Sequence, residues 1–263
     1  AATDAMTTCG GLAETTTAIQ LVVLVTPLNF RHPAVIAKTA TTLDEMSAGR
    51  FALGVGTGWM QSEHDAFGID LPPLGERFDR LSETLAYLRA AFGSAGGFEG
   101  SYYRLGPIEV LPHPIDVPIV IGGTGPKRTP TLAGRYADEY NLFVTDRETL
   151  DARLRVMRAA AVAAGRNPED VKVSLAGPAV VAEDERSYRS LLAERGARRD
   201  LSADEYEALL AERNVPHGTL ETARASIAAL EGIGIGRYYL QEYRDLADID
   251  TGSLVTTFSI LRS

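Results

Sequence analysis

Three junctions along the chain combine an apolar, β-branched run with residues suited to ligand chemistry. The first is Thr-Pro-Leu-Asn-Phe-Arg-His-Pro over residues 26–33. Arg31 and His32 stand there before a predicted helix, where they could meet an anion or donate a proton, since histidine ionises closest to neutral pH. The preferred interpretation is structural: both residues cap and support that helix.

The second junction, over residues 50–59, carries three alternating glycines, Gly54, Gly56 and Gly58, followed by Trp59. Glycine allows a ligand to approach the backbone closely, although close packing of strands is the alternative. The spacing is not the dinucleotide-binding fingerprint, which needs a third glycine at a different offset. The polar or aromatic residues near these junctions are therefore the catalytic candidates: His32, Trp59, Glu63 and His64.

The third junction, Ile-Val-Ile-Gly-Gly-Thr-Gly-Pro-Lys-Arg-Thr over residues 119–129, consists of a buried strand, a glycine turn and a helix start. Backbone N–H groups and the positive end of a helix dipole hold anions well, so this turn resembles a phosphate cradle. Lys127 or Arg128 could screen the charge. A plain tight turn is the alternative, and the spacing of nucleotide-hydrolysing P-loops is absent.

Composition argues against several functional classes. The formal charge of −9 gives no basic field for nucleic acid, and no apolar run reaches the ~18 residues of a membrane span. The four histidines are widely spaced, which disfavours a metal site, and no Gly-x-Ser-x-Gly elbow supports a serine hydrolase. The single cysteine, Cys9, permits no intrachain disulfide, so a cytoplasmic location is expected.

The elements that must position these junctions alternate between strands and helices, a pattern typical of βαβ units and a parallel sheet. The predicted strands cover residues 20–25, 51–56, 118–122, 139–143, 171–175 and 237–241. The predicted helices cover residues 33–47, 76–92, 126–136, 147–164, 220–232 and 249–261. The 263 residues fit one domain, as α/β barrels commonly do.

Two segments interrupt this alternation. Residues 98–118 are rich in Tyr, Gly and Pro and predict a hairpin over the barrel, whereas residues 184–214 predict an inserted, exposed helical pair. Six strands do not close an eight-stranded barrel, so we expect the first one or two strands, within about 50 residues, to precede Ala1. An open doubly wound sheet is the alternative.

Parts of the sequence resemble bacterial luciferase-like monooxygenases, especially their deazaflavin-dependent branch. The most specific parts are Phe-Arg-His-Pro-Ala-Val-Ile-Ala-Lys, Leu-Asp-Glu-Met-Ser-Ala-Gly-Arg-Phe, Pro-Pro-Leu-Gly-Glu-Arg-Phe-Asp-Arg and the Ile-Gly-Gly-Thr-Gly-Pro-Lys-Arg loop. The resemblance covers residues 4–143 and fades beyond residue 179. It implies a TIM-type (β/α)8 barrel with a flavin-like ring at the carboxyl ends of its strands.

The resemblance also implies a set of cofactor contacts. A bulge with a non-prolyl cis peptide, matching Val23–Leu24, would prop the ring. The implied contacts of the ring, side chain and phosphate are Val23, Leu24, Thr26, Thr57, Gly58, Gly122, Gly123, Thr124 and Gly125. Sugar-phosphate dehydrogenases of the family have a catalytic glutamate where this chain has Trp59, and their proton-donating histidine would lie before Ala1, so that reaction is not carried over.

We therefore expect an oxidoreductase that transfers hydride between coenzyme F420 and a small organic substrate. An FMN-dependent monooxygenase is the alternative within the family. A non-catalytic cofactor-binding protein, or a lyase on the same barrel, is the alternative from another class, because fold alone does not fix function. The expected partner is a small-molecule substrate, a homodimer is left open, and no nucleic acid, membrane or metal is expected.

Overall fold

The computed structural model describes residues 3–93, 97–107 and 110–241. The chain divides into two compact units. One comprises Ala1–Tyr140 and Val156–Val171, and the other comprises Asn141–Arg155 and Lys172–Ser263. The strand β6 and helix α6, defined below, contribute residues to both.

The first unit holds the three sequence junctions. Its elements, in chain order, are α1 (Ala5–Thr15), β1 (Leu21–Pro27), a 3-10 turn (Leu28–Phe30), α2 (Pro33–Met46), β2 (Phe51–Gly56), α3 (Gln61–Phe67), α4 (Leu74–Phe92), β3 (Phe98–Glu99), β4 (Arg104–Leu105), β5 (Ile119–Gly122) and α5 (Arg128–Tyr136). The chain then passes through β6 (Glu139–Phe143) and α6 (Arg147–Ala163).

The second unit continues after a 3-10 turn at Pro168–Asp170. Its elements are β7 (Lys172–Gly177), β8 (Val180–Ala182), α7 (Glu185–Ala197), α8 (Ala203–Glu212), β9 (His217–Thr219), α9 (Leu220–Gly232) and β10 (Arg237–Leu240). In this unit β7 pairs in parallel with β10, and β8 pairs in parallel with β9.

Strand β2 is the centre of the first unit's sheet. All six of its residues are buried, as expected for a parallel strand with both faces covered. It pairs in parallel with β1 on one side and with β5 on the other, where Val55 lies opposite Ile121. The carboxyl ends of β1, β2 and β5 consequently meet at one edge, and the glycine turns after β2 and β5 are neighbours.

The predicted parallel α/β pattern is confirmed in both units. All six predicted strands are present with ends shifted by at most two residues, and α7 and α8 occupy the stretch predicted as a helical pair. The predicted helix over residues 126–136 begins only at Arg128. Among the described residues of 98–118, the predicted hairpin is limited to β3 and β4. The predicted helix over residues 249–261 lies outside the described residues.

Candidate cofactor-binding site

A bulge near the end of β1 forms one side of the candidate site. The register between β1 and β2 shifts between Val23 and Thr26. A non-prolyl cis peptide joins Leu24 and Val25. The expected position, Val23–Leu24, was therefore wrong by one residue, although the bulge itself lies at the expected end of the strand.

Gly54 is the residue that lets β2 accept this bulge. A Cβ atom at position 54 would lie 2.0 Å from the carbonyl oxygen of Val23 and 2.9 Å from Cγ1 of Val25. A backbone oxygen cannot move aside as a side chain can, so the bulge requires glycine here. Of the three alternating glycines, Gly54 thus has the packing role that the sequence left open.

The next glycines bring β2 and β5 together. A Cβ at Gly56 would lie 2.8 Å from Cγ2 of Val25 and 3.7 Å from the carbonyl oxygen of Gly122. Gly58 has φ +72°, in the region that favours glycine. Thr57 and Gly58, which the family resemblance implies as cofactor contacts, therefore lie beside the implied contacts that begin at Gly122.

The glycine turn after β5 folds around a side chain that the sequence analysis missed. Thr129 is buried, and its Oγ1 would be 3.3 Å from a Cβ at Gly123 and 3.0 Å from one at Gly125. Gly123 has φ +152°. The turn thus exposes backbone where a larger residue would clash with Thr129. The sequence feature that could have revealed this contact is a threonine in the first turn of the following helix.

Helix α5 points its amino end at this turn. The first-turn amides of Arg128 and Thr129 have no partner within the helix, and they lie at the positive end of its dipole. The Arg128 side chain is held elsewhere, because it forms an ion pair with Asp79 and lies 4.8 Å from the centre of the Phe78 ring. Lys127 is exposed and remains the better candidate to screen an anion.

Arg77 supports the turn after β2 from α4. Its Nη1 donates to the carbonyl oxygen of Gly58 at 2.5 Å, and its Nε donates to that of Pro72 at 2.8 Å. Arg77 lies within the segment that carried the family resemblance, but its sequence position did not reveal this contact. The guanidinium fixes the course of the backbone at Gly58.

At the first junction, the catalytic candidate His32 and its neighbour Arg31 have the structural roles that were preferred. His32 caps α2, with Nδ1 accepting from the N–H of Ala34 at 3.1 Å. Arg31 forms an ion pair with Asp4, which caps α1. Hydrogen bonds from the amide and hydroxyl of Thr7 are the main cause that lowers the pKa of Asp4, and Arg31 adds to it.

The remaining catalytic candidates differ in accessibility. Trp59 is 79% exposed, Glu63 is partly exposed in the first turn of α3, and His64 is 1% exposed. Nδ1 of His64 lies 2.9 Å from the carbonyl oxygen of Met60. Because a carbonyl only accepts, Nδ1 carries a proton, and in the neutral ring Nε2 is then an acceptor. Nε2 is buried and has no hydrogen-bond partner in the structure.

The site fits a ligand with a polar chain and an anionic group. Nδ2 of Asn29 is also buried without a hydrogen-bond partner. It would lie 3.5 Å from a Cβ at Gly58, and Cε1 of His64 would lie 3.6 Å from the same point. One donor and one acceptor thus flank the turn after β2, beside the glycine turn and helix amides after β5. Thr26 is buried at the end of β1.

Two further properties concern the described part of the chain only. Its residues include no cluster of three or more His, Cys, Asp or Glu side chains arranged to hold a metal ion. Its helices include none with the length and apolar character needed to cross a membrane.

The family model of the luciferase-like monooxygenases matches residues 1–236 of the chain. The chain belongs to this family. Its fold is accordingly the α/β barrel type that the resemblance implied. The match continues well past residue 179, where the sequence resemblance was expected to fade.

Similar proteins include both dehydrogenases and monooxygenases. An F420-dependent glucose-6-phosphate dehydrogenase of Nakamurella multipartita is 42% identical over 119 residues, which are 44% of this chain and 34% of that protein. An F420-dependent hydroxymycolic acid dehydrogenase of Mycobacterium tuberculosis is 34% identical over 170 residues, covering 62% of this chain and 45% of that protein. The matched segments thus span less than half of these relatives.

A solved structure resembles the chain over more of its length. Monooxygenase RslO1 of Streptomyces bottropensis is 27% identical, with a TM-score of 0.72 over 90% of this chain and 75% of that one.

Proposed function

We propose that this protein is an oxidoreductase that binds coenzyme F420 across the ends of β1, β2 and β5 and acts on a small organic substrate. The observation that carries the proposal is the adjacency of two glycine turns, where a Cβ at Gly56 would lie 3.7 Å from the oxygen of Gly122. Two F420-dependent dehydrogenases among the similar proteins support the choice of cofactor.

Each part of the site has a distinct task in this proposal. The bulged end of β1, with Val23, Leu24 and Thr26, supports the ring. Thr57 and Gly58 contact the side chain, and Arg77 holds the carbonyl group of Gly58 in place. The backbone of residues 122–125 and the first amides of α5 hold the phosphate, because N–H groups at a helix start favour an anion.

The cofactor, when bound, supplies the hydride chemistry, and the protein supplies orientation and electrostatics. Trp59 and His32 are exposed and Glu63 is partly exposed, so a substrate can reach these three catalytic candidates. His32 is bound at Nδ1 as a helix cap, so only its Nε2 is available for a proton. His64 is buried, which suits support of the Gly58 turn better than contact with substrate.

Titration with F420 and with FMN tests the proposal, using quenching of the single tryptophan, Trp59, as the signal. We expect saturable binding of F420, and substrate-dependent change in its absorbance. Binding of FMN with oxygen-dependent turnover would favour the monooxygenase alternative, which the similarity to RslO1 supports. Binding without any turnover would favour a non-catalytic protein, and binding of neither cofactor would contradict the proposal.

The proposal includes a cytoplasmic location, supported by a single cysteine, Cys9, that is free and buried. A homodimer, a single-domain organisation and the status of α7 and α8 as an insertion stay predictions.

A further inference from the structure

The short hairpin of β3 and β4 borders a cavity of about 690 Å³ at Tyr103. The two strands form only two residue pairs. Their turn is closed by the N–H of Gly100, which donates to the carbonyl oxygen of Tyr103 at 2.9 Å. Because even a longer isolated hairpin is only marginally stable in water, contacts with the rest of the first unit must order this one.

A single carboxylate on α4 binds the turn of the hairpin. Oε1 of Glu83 accepts from the N–H of Ser101 at 2.7 Å, and Oε2 accepts from those of Tyr102 and Tyr103 at 2.8 and 3.1 Å. Hydrogen bonds to an ionised acceptor are stronger than those between neutral groups, and successive amides in a turn form a concave anion site. A Cβ at Gly100 would overlap Oε2 of Glu83, so this close contact requires glycine.

Two neighbours of Glu83 on the same face of α4 contact rings of the hairpin. Arg80 lies three positions before Glu83 and Tyr87 four positions after it, the spacing of one helix face. The guanidinium of Arg80 is 4.8 Å from the centre of the Tyr102 ring, and the Tyr87 ring is 6.2 Å from that of Phe98. These contacts involve side chains, whereas Glu83 binds the main chain, so loss of its charge frees the turn itself.

The hairpin also contacts His32 at the start of α2. The rings of Tyr103 and His32 lie 5.3 Å apart, edge to face, and both residues line the cavity. Nδ1 of His32 accepts from the N–H of Ala34, which holds the imidazole in place while the hairpin moves. Displacement of the Tyr103 ring would therefore uncover more of His32 and widen this side of the cavity.

Glycines stand at both ends of the hairpin. Gly97, before β3, has φ +135°, and a Cβ at Gly106, after β4, would meet nothing within 4 Å. Glycine adopts a wider range of backbone angles than other residues, and small residues often absorb the rotation at hinges. The hairpin can therefore turn about its ends while α4 stays packed.

We infer that residues 98–105 form a strap that opens and closes one side of the cavity, and that the Glu83 carboxylate is the latch that keeps it closed. In the closed state three amides bind Glu83 and Tyr103 lies against His32. In the open state those amides bind water and the strap turns about Gly97 and Gly106. The inference concerns access to the cavity and is independent of the cofactor and of what the cavity binds.

Two readouts on the whole protein test the latch. The first is hydrogen exchange of the amides of residues 101–103. The second is the rate at which diethyl pyrocarbonate modifies His32 relative to His113, which is exposed and outside the cavity lining. Glu83→Gln keeps the side-chain size but replaces one acceptor oxygen by a donor. We expect exchange to be about tenfold faster or more, and the His32 to His113 ratio to rise about threefold.

The matched control is Glu205→Gln, because Glu205 on α8 also accepts from a main-chain N–H, that of Ser202 at 2.8 Å. It should leave both readouts unchanged. Tyr103→Ala separates the ring from the latch: the His32 to His113 ratio should rise, while the amides of residues 101 and 102 stay protected. Unchanged exchange in Glu83→Gln, equal changes in Glu205→Gln, or equally fast exchange in Tyr103→Ala would overturn the inference.

A measurement on the unmodified protein applies even if Glu83→Gln does not fold. Opening of the strap exposes little surface, so exchange of the amides of residues 101–103 should depend only weakly on urea, whereas that of the buried strand β2 should depend on it strongly. An equal urea dependence would mean that the strap opens only when the first unit unfolds, and the inference would be wrong.

Discussion

The strand ends of the two units are built differently. After β2 and β5, in the first unit, glycines bring backbone to the surface around Gly58 and Gly123. In the second unit, a Cβ at Gly177 at the end of β7 would lie 2.6 Å from Cγ1 of Val144 and 2.9 Å from the hydroxyl of Tyr238. That hydroxyl donates to the carbonyl oxygen of Pro178 at 2.7 Å.

Further side chains cover the strand ends of the second unit. Nδ2 of Asn214 donates to the carbonyl oxygen of Thr145, just after β6, at 2.6 Å. The strand β8 packs with α7 and α8 in an apolar cluster of Val180, Ala182, Tyr188, Leu192, Tyr206, Leu210 and Val215. Side chains thus approach within 3 Å of a Cβ at Gly177, whereas the nearest atoms to a Cβ at Gly58 and Gly123 lie 3.3 and 3.1 Å away and both of these glycines have positive φ.

The largest expected effect is on stability, from Gly54→Ala compared with Gly177→Ala. The new methyl at position 54 would meet the carbonyl oxygen of Val23, which cannot rotate away, whereas that at position 177 would meet side chains. We expect Gly54→Ala to lower the free energy of unfolding by about 3 kcal/mol or more, and Gly177→Ala by about 1 kcal/mol. Urea unfolding measures both, and equal losses would remove this distinction between the units.

The second effect is on cofactor affinity, from Gly123→Ala. An alanine there is strained at φ +152° and approaches Thr129, so the turn must move and F420 affinity should fall at least tenfold. The control is Gly165→Ala, which also has positive φ but open space around it. Fluorescence titration should show unchanged affinity for the control, and an equal loss in both variants would contradict the cradle.

A smaller effect is expected from Arg77→Met, which removes the donor to the carbonyl of Gly58. F420 affinity should fall about three- to tenfold, the range expected when one hydrogen bond of roughly 1 kcal/mol is lost. Arg166→Met is matched, because Arg166 also donates to two main-chain carbonyls, those of Gly134 and Ala137. It should leave F420 affinity unchanged; a similar fall would mean that Arg77 acts through general stability.

The smallest effect concerns helix caps, which are alike in the two units. Hydrogen bonds from Thr7 and from Ser187 lower the pKa values of Asp4 and Asp184 below the usual 3.8. The folded state therefore favours the ionised carboxylates, and their contribution to stability is present above this pH and lost as the pH falls through the lowered values.

Replacing either cap by Asn retains a capping oxygen and removes the titration. Asp4→Asn and Asp184→Asn should each flatten the fall of the urea midpoint between about pH 5 and 2. A flattening confined to one variant would show that the units also differ at their helix ends.

Much of this architecture was predictable because buried strands leave a strong pattern. Strand β2 is apolar on both faces, and α2 begins at Pro33, which favours a first helical turn. The short elements were not predicted, since α3 has seven residues and β8 and β9 have three each, too few for a periodic signal.

The supporting contacts of the candidate site were not predictable from spacing. The hydrogen bond of Arg77 to Gly58 joins residues 19 positions apart, and the contact of Thr129 with the glycine turn depends on how α5 packs. The requirement for glycine at position 54 arises from a bulge on the neighbouring strand. Each depends on tertiary geometry that a single sequence does not encode locally.

A crystal structure of the protein soaked with F420 tests the central claim most directly. The account predicts the ring beside Thr26, and the phosphate within hydrogen-bonding distance of the backbone amides of residues 122–125. Bound F420 at the strand ends of the second unit, or with its phosphate away from the turn after β5, would contradict it.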